Sequence, residues 1–220
     1  MSSHHIVRDD QEPALIIANG ASCNIELLGQ LLEWSPLVIV LDSAMERVLE
    51  LGIKVDVLLG DFDRGFDPNY YKEKQYPLEI VHTLDQNKTD LEKAFDYLVE
   101  RKIPAVNVVW ATGKRADHTI TNITNITRYR DLIKIVVLDD HSKVFLLPKK
   151  YEKWYPANTT ISLIPIGHVT GIHSKNLFYP LENDSLTIGY RTGSSNHVLE
   201  DGLVVIEHNG GDLLLMECWD

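Results

Sequence analysis

Apolar residues along the first two thirds of the chain follow two alternating rhythms. Short, nearly unbroken runs of Val, Ile, Leu and Ala occupy 14–18, 37–41, 55–59, 78–81, 105–111 and 133–138. Such runs predict strands covered on both faces, as in a parallel sheet. Between them the spacing turns helical. Segment 23–34 carries Leu27, Leu28, Leu31 and Leu32, and 89–102 sets Leu91, Phe95, Leu98 and Val99 on one face. Segment 43–51 stops at Gly52, the residue type that best accepts a left-handed C-cap. This alternation predicts an N-terminal doubly wound, mostly parallel α/β domain.

After about Asp140 the helical period disappears. Segments 142–147, 159–166, 185–192, 202–208 and 212–217 are strand-like, with Gly, Asn and Pro between them. Asn209-Gly210-Gly211 predicts a tight turn joining two strands. The pattern predicts a small antiparallel sandwich or barrel, and domains at 1–140 and 141–220. No internal repeat or low-complexity stretch interrupts either part.

Composition narrows the function classes. The 220 residues are 44% hydrophobic, enough for a packed core, and no stretch approaches the roughly 20 apolar residues of a membrane-spanning helix. Lys+Arg 21 against Asp+Glu 32 gives a net charge of −11, a poor match for nucleic acid or anionic lipid. A phosphate ligand would therefore call for a mediating cation. Cys23 and Cys218 lie far apart without a CxxC pair, which indicates neither a disulfide framework nor a zinc ribbon. Met1-Ser2-Ser3-His4-His5 has no apolar h-region and reads as a short tail. A reducing cytoplasm is the expected setting.

The acids gather where a doubly wound sheet expects its ligand, beyond the C-terminal ends of the strands. Asp42 follows 37–41, Gly60-Asp61-Phe62-Asp63 follows 55–59, and Asp85 and Asp90 flank the connection after 78–81. Close carboxylate pairs repel by roughly 1–4 kcal/mol at about 4 Å. A cation resolves that repulsion, and oxygen donors without a His or Cys grouping suit Mg²⁺. Each piece also has a purely structural reading. Asp42 alone suits an N-cap for the helix from Ser43, and Thr89-Asp90-Leu91-Glu92 fits a capping box, which still leaves Asp90 able to face a ligand. Asp61-Phe62-Asp63 is a poor turn beside a glycine and points to function. Gly113-Lys114-Arg115-Ala116-Asp117-His118 follows 105–111 and opens a helix-like stretch through Tyr129. A helix N-terminus favours anions, Arg115 suits phosphate oxygens, and Asp117 suits orienting it, the alternative being an ordinary turn with a surface ion pair. Neither GxxxxGK[ST] nor GxGxxG occurs. Apart from His118, the histidines lack metal-ligand spacing.

In order, Asp42, Gly60-Asp61-Phe62-Asp63-Arg64, Asp85-Gln86-Asn87-Lys88-Thr89-Asp90, Gly113-Lys114-Arg115-Ala116-Asp117-His118 and Gly193-Ser194-Ser195-Asn196 resemble the motifs of the thiamine pyrophosphokinase family over nearly the whole chain. Arg64 stands where the family has serine, and Lys114 where it has a second glycine. The resemblance implies pyrophosphoryl transfer from ATP to thiamine, with Mg²⁺ as cofactor. It implies a catalytic α/β domain and a thiamine-binding, dimerising β domain, a small sandwich, in a homodimer. Asp61, Asp63 and Asp90 would be catalytic and hold the metal. Asp42, Gln86, Thr89, Arg115, Asp117 and His118 would bind ATP, with Lys88 adding charge. Tyr179, Ser194, Ser195 and Asn196 would bind thiamine. The choice of the β phosphorus over the γ rests on this resemblance alone.

Two other function classes fit parts of the sequence. A haloacid-dehalogenase-type phosphohydrolase would use Asp61-Phe62-Asp63 as its nucleophile motif and Asp139-Asp140 as its later acidic pair, but it leaves 85–90 unexplained. A non-catalytic thiamine or nucleotide sensor would have no need of every metal carboxylate.

Overall fold

The computed structural model describes residues 13–63 and 67–219. The N-terminal tail and Arg64 lie outside the described residues. Contacts divide the chain into two units, one running to Asn125 and including Tyr129–Asp140, the other taking Ile126–Arg128 and everything from His141.

In the first unit, strands β1 (Ala14–Ile17), β2 (Leu37–Leu41), β3 (Val57–Gly60), β4 (Glu79–His82), β5 (Ala105–Val109) and β6 (Lys134–Leu138) form a parallel sheet in the order β4-β3-β2-β1-β5-β6. The chain winds outward from β1 to β4 and then restarts on the other side of β1, so the switch point lies between β1 and β5. Strands β1, β3 and β5 are buried throughout, which is why their sequences carry no alternation. Helix α1 (Ile25–Leu32) starts at Asn24, whose side chain accepts from Leu27 N, and buries Leu28 and Leu31. A 3₁₀ turn (Asp42–Ala44) precedes α2 (Met45–Glu50), and Gly52 follows with φ +69°. Helix α4 (Asp90–Glu100) has the expected capping box between Thr89 and Glu92 and buries Leu91, Phe95 and Leu98. The stretch expected to be helical through Tyr129 is α5 (Ala116–Thr124) followed by a 3₁₀ turn (Asn125–Tyr129). One helix has no apolar stripe to announce it: α3 (Pro68–Lys74) buries only Tyr71 and is defined by its Asp67 N-cap and by proline at its start.

The second unit is antiparallel. Strands β7 (Ser142–Leu146), β8 (Lys150–Tyr155), β9 (Thr160–Lys175), β10 (Glu182–Thr187), β11 (Gly193–His197), β12 (Gly202–Glu207) and β13 (Gly210–Cys218) form two layers that share β9. The first half of β9 pairs with β13 and β11, and β13 pairs with β7; the second half pairs with β10 and β12, and β12 pairs with β8. Leu163 and Ile161 from the first half, Val169 and Ile172 from the second, Leu186, Val204, Ile206, Leu213 and Leu215 fill the space between the layers. Strand β9 is twice the expected length because Gly167 (φ +77°) and Gly171 (φ +64°) let it bend from one layer into the other without ending. Asn209-Gly210-Gly211 does make the turn, but β12 and β13 flank β9 on opposite sides instead of pairing with each other. The expected strand 185–192 is interrupted by a turn closed by Thr187 and Arg191. Among the described residues, no helix is long and apolar enough to cross a membrane.

Candidate active site

The C-terminal edge of the parallel sheet holds two adjoining clefts, an inner one of about 410 Å³ and an outer one of about 820 Å³. Asp42, Asp61, Asp90, Arg115 and His118 line both. Gln86, Lys88 and Thr89 line the inner cleft, and Asp63 lines the outer one with Glu46, Asp67 and Tyr70. Residues from the ends of β2, β3 and β5 and from the start of α4 thus meet at the switch point, where open α/β sheets bind ligands.

Asp42 is the deepest of these acids, 7% exposed. It is not an N-cap: it opens the 3₁₀ turn, accepts from Ser43 N and Oγ, and reaches the β3 loop to accept from Phe62 N at 3.3 Å. Gly60 makes this possible. A Cβ there would lie 2.6 Å from Asp42 Cβ and collide with the carboxylate itself. Gly60→Ala should therefore lower kcat by about tenfold or more and destabilise by about 1–3 kcal/mol, checked by steady-state assay and thermal melting. The loop bends at Phe62, whose φ of +53° is rare for a bulky side chain. His82 Nε2 lies 2.9 Å from the carbonyl oxygen of Asp61 and steadies the same loop.

Asp90 occupies the first position of α4. Burial pushes its carboxyl above the usual range; a hydrogen bond from Lys93 opposes the shift, and the charges of Asp42 and Asp61 reinforce it. That mutual repulsion places the three carboxylates in one electrostatic neighbourhood. Asp85 is not part of it: its carboxylate closes a turn onto Asn87 N at 2.8 Å, and that backbone bond holds its carboxyl below the usual range. Lys88 lines the cleft while its ammonium pairs with Asp96 at 2.7 Å. At the start of α5, the N-cap residue Arg115 lines both clefts and Asp117 neither; the two side chains form a two-point ion pair, which holds Asp117 down to about 2.

Several cleft residues carry no obvious sequence signal. The loop after β1 brings Asn19 and Gly20 into the inner cleft, zipped to the loop after β5 by Ala18 N to Val109 O (3.0 Å) and Ala21 N to Thr112 O (2.8 Å). Arg47 clasps this loop through Asn19 Oδ1 and Gly20 O and lies 4.2 Å over the Trp110 ring. The strand-end rule that singled out Asp42 would also have singled out Asn19-Gly20. Lys114 has φ +53° and donates to Asn19 O at 3.1 Å, so a lysine here both accepts the conformation glycine favours and ties the two loops together.

In the second unit, the residues expected at a thiamine site stand together. Tyr179 is 61% exposed beside Phe178, whose ring stacks on His197 at 4.5 Å. Asn196 is 4% exposed, and its amide is spent on Tyr179: Nδ2 donates to the backbone oxygen at 2.8 Å and Oδ1 accepts from the backbone N–H at 3.0 Å. Ser194 and Ser195 are exposed; Ser195 has φ +56° and its N–H donates to Ser162 Oγ at 3.0 Å.

Residues 28–137 match the model of the thiamin pyrophosphokinase catalytic domain, and 146–211 match the thiamin pyrophosphokinase vitamin B1 binding domain. These matches define a kinase whose doubly wound α/β unit is followed by an antiparallel β unit. The chain belongs to the thiamine pyrophosphokinase family. It is 29% identical over 191 residues to thiamine pyrophosphokinase of Bacillus subtilis, covering 84% of this chain and 88% of that protein. The crystal structure of thiamine pyrophosphokinase from Bacillus subtilis superposes with a TM-score of 0.79 at 26% identity, covering 95% of this chain and 100% of that one. The fold is shared with yeast thiamin pyrophosphokinase, at a TM-score of 0.82 and 17% identity, covering 97% of this chain and 88% of that one.

Proposed function

We propose that the chain transfers the pyrophosphoryl group of ATP to the hydroxyl of thiamine, giving AMP and thiamine diphosphate, and that transfer takes place in the two adjoining clefts. One observation carries this reading: Asp42, Asp61 and Asp90, from separate strand-end segments, line the same cavity walls. The triphosphate fits the inner cleft, where the start of α5 supplies N–H groups and Arg115 supplies a guanidinium. Asp90 orients the thiamine hydroxyl, and burial keeps its carboxyl closer to the basicity useful for accepting a proton.

The donor set suits Mg²⁺. Its members are hard oxygens, and among the described residues no three His, Cys, Asp or Glu side chains already converge into a closed cage. Mg²⁺ needs none, since it keeps several waters and takes one or two carboxylates together with substrate phosphates. Asp61 and Asp90 would hold it, with Asp63 at the outer rim. When bound it would neutralise the phosphate oxygens that a −11 chain otherwise repels. The remaining work is positioning, which suits a reaction that needs little covalent help.

On the second unit, Tyr179 offers a face to a cationic ring, and Asn196 holds the backbone that presents it. Tyr179→Ala should raise the KM for thiamine about tenfold, the loss of about 1.4 kcal/mol, while leaving the KM for ATP unchanged in steady-state assays. A cytoplasmic homodimer is the expected setting.

The phosphohydrolase alternative loses its second acidic pair. Asp139 accepts from Thr112 Oγ1 at 2.7 Å, Asp140 accepts from Asn24 N at 2.7 Å, and neither lines a cleft. AMP formation that requires both ATP and thiamine, without phosphate release from p-nitrophenyl phosphate, is the expected result. AMP formation indifferent to thiamine would overturn the reading, and so would binding of both substrates without turnover.

A further inference from the structure

Lys93 is placed against two unfavourable effects. It lies in the N-terminal turn of α4, where the helix dipole disfavours a cation, and it is 7% exposed, where an ammonium loses its water. The helix start does not need it, because Thr89 and Glu92 already satisfy the cap. What Lys93 does have is Asp90: its Nζ donates to Asp90 Oδ1 at 3.0 Å, and both side chains line the inner cleft. Asp90 Oδ2 has no protein donor among the described residues. The other cations lining this edge have partners of their own, Arg115 pairing with Asp117, Lys88 with Asp96 and Lys114 with the carbonyl oxygen of Asn19. Among the described residues, neither Asp42 nor Asp61 has a cationic partner within ion-pair distance.

We propose that Lys93 is a positioning residue for the transfer step: its ammonium holds Oδ1 of Asp90 in place, which leaves Oδ2 for the reacting groups in the cleft. This rests on the reading of the clefts as the place of transfer. The aliphatic stem of Lys93 packs as any linear side chain would, so its charge and its bond are what the proposal concerns. Losing them frees the Asp90 rotamer within a cavity that also holds the charges of Asp42 and Asp61, which repel it. What Lys93 adds is the placing of a group that acts on the reacting atoms, so its loss should fall mainly on turnover and less on substrate binding.

The test uses the full chain with Lys93→Met and Lys93→Arg. Lys93→Met should lower kcat about 30-fold with both KM values within about threefold, as expected for misplacing a reacting group. Lys93→Arg, which can still donate to Oδ1, should recover to within about fivefold of wild type. If Lys93→Met does not accumulate, Lys93→Gln removes the charge on a shorter, neutral side chain, with the same expected split. A second measurement uses metal-free protein: the urea midpoint of the Lys93→Met, Asp90→Asn double variant should lie no lower than that of Asp90→Asn alone. Wild-type kcat in Lys93→Met, a loss that Arg does not recover, or midpoint shifts that simply add would each overturn the proposal. Wild-type protein lacking thiamine-dependent AMP formation would overturn the reading of the clefts and this proposal with it. An active wild type with an unaffected Lys93→Met would overturn this proposal alone.

Discussion

Asp61→Ala should abolish nearly all AMP formation while leaving the melting temperature unchanged. The two halves of that expectation have separate physical grounds. Folding asks little of this carboxylate, whose one hydrogen bond, from Asp63 N to Oδ1, is long at 3.4 Å. Removing it also relieves part of the repulsion that raises the Asp90 carboxyl. Chemistry asks a great deal, because Asp61 lines both clefts and supplies one of the oxygens that would hold a cation against the triphosphate. Losing one such electrostatic partner in a positioned site costs about three orders of magnitude in kcat, or about 4 kcal/mol of transition-state stabilisation. Chromatographic assay of AMP beside a circular-dichroism melt separates the two effects. Asp90→Ala should be as inactive but less stable, because it leaves the buried Lys93 ammonium without its partner. Turnover within tenfold of wild type in Asp61→Ala would remove the catalytic role assigned to this carboxylate.

The parallel sheet was legible because its strands are covered on both faces. Runs such as Leu37–Leu41 are too short for a helix and rich in β-branched residues, and the end of each run marks the edge where ligands bind. That edge picked out Asp42, Asp61 and Asp90 in advance, and all three line both clefts. Asp85 was misplaced for the same reason, since nearness in sequence to a strand end does not distinguish a cleft carboxylate from one that closes a turn onto Asn87. Lys93 and Arg47 stayed hidden because a cation on a helix normally reads as a solvated face; only burial and partners reveal otherwise. In the second unit, β8 escaped notice because Lys150, Glu152 and Trp154 alternate outward along a strand that pairs on one side only, while only Tyr155 is fully buried. Long, charged side chains on such an edge blunt self-association at the cost of a recognisable pattern.

Four of the nine non-glycine residues with positive φ among the described residues lie beside the clefts or the Tyr179 cluster. Phe62, Trp110 and Lys114 in the first unit and Ser195 in the second all adopt conformations that L-residues seldom populate. In the first unit they fall in the loops after β3 and β5, the segments that carry Asp61, Asp63 and Arg115. Such strain persists where surrounding bonds over-determine the loop, here the His82 contact with Asp61 O and the Lys114 bond to Asn19 O. The sheet therefore supplies rigidity, and its loops spend part of it on aiming side chains.

Glu217→Leu should destabilise the second unit by about 3–5 kcal/mol, the cost of leaving buried cations without their carboxylate. Glu217 accepts from Lys153 Nζ at 2.7 Å and Tyr155 OH at 2.6 Å, and Lys143 Nζ lies 4.0 Å from its other oxygen. Lys143→Met should act in the opposite direction. Lys143 is 9% exposed, and burial lowers its ammonium to about 8, with Glu217 opposing the shift and Lys153 adding to it. Because the folded value lies below the unfolded one, the unfolded chain binds more protons between about pH 8 and 10.5, and stability rises with pH across that window. Below pH 8 the full penalty is in place. Burial and the Glu217 charge push the Tyr155 hydroxyl upward, so it does not titrate in the same range. Lys143→Met removes the penalty while Glu217 keeps its bonds to Lys153 and Tyr155. Urea unfolding at pH 7 should show the variant more stable by about 1–2 kcal/mol, with the advantage shrinking toward pH 10.5. A Lys143→Met protein that is less stable than wild type at pH 7 would mean that the 4.0 Å pair with Glu217 outweighs the desolvation of its ammonium.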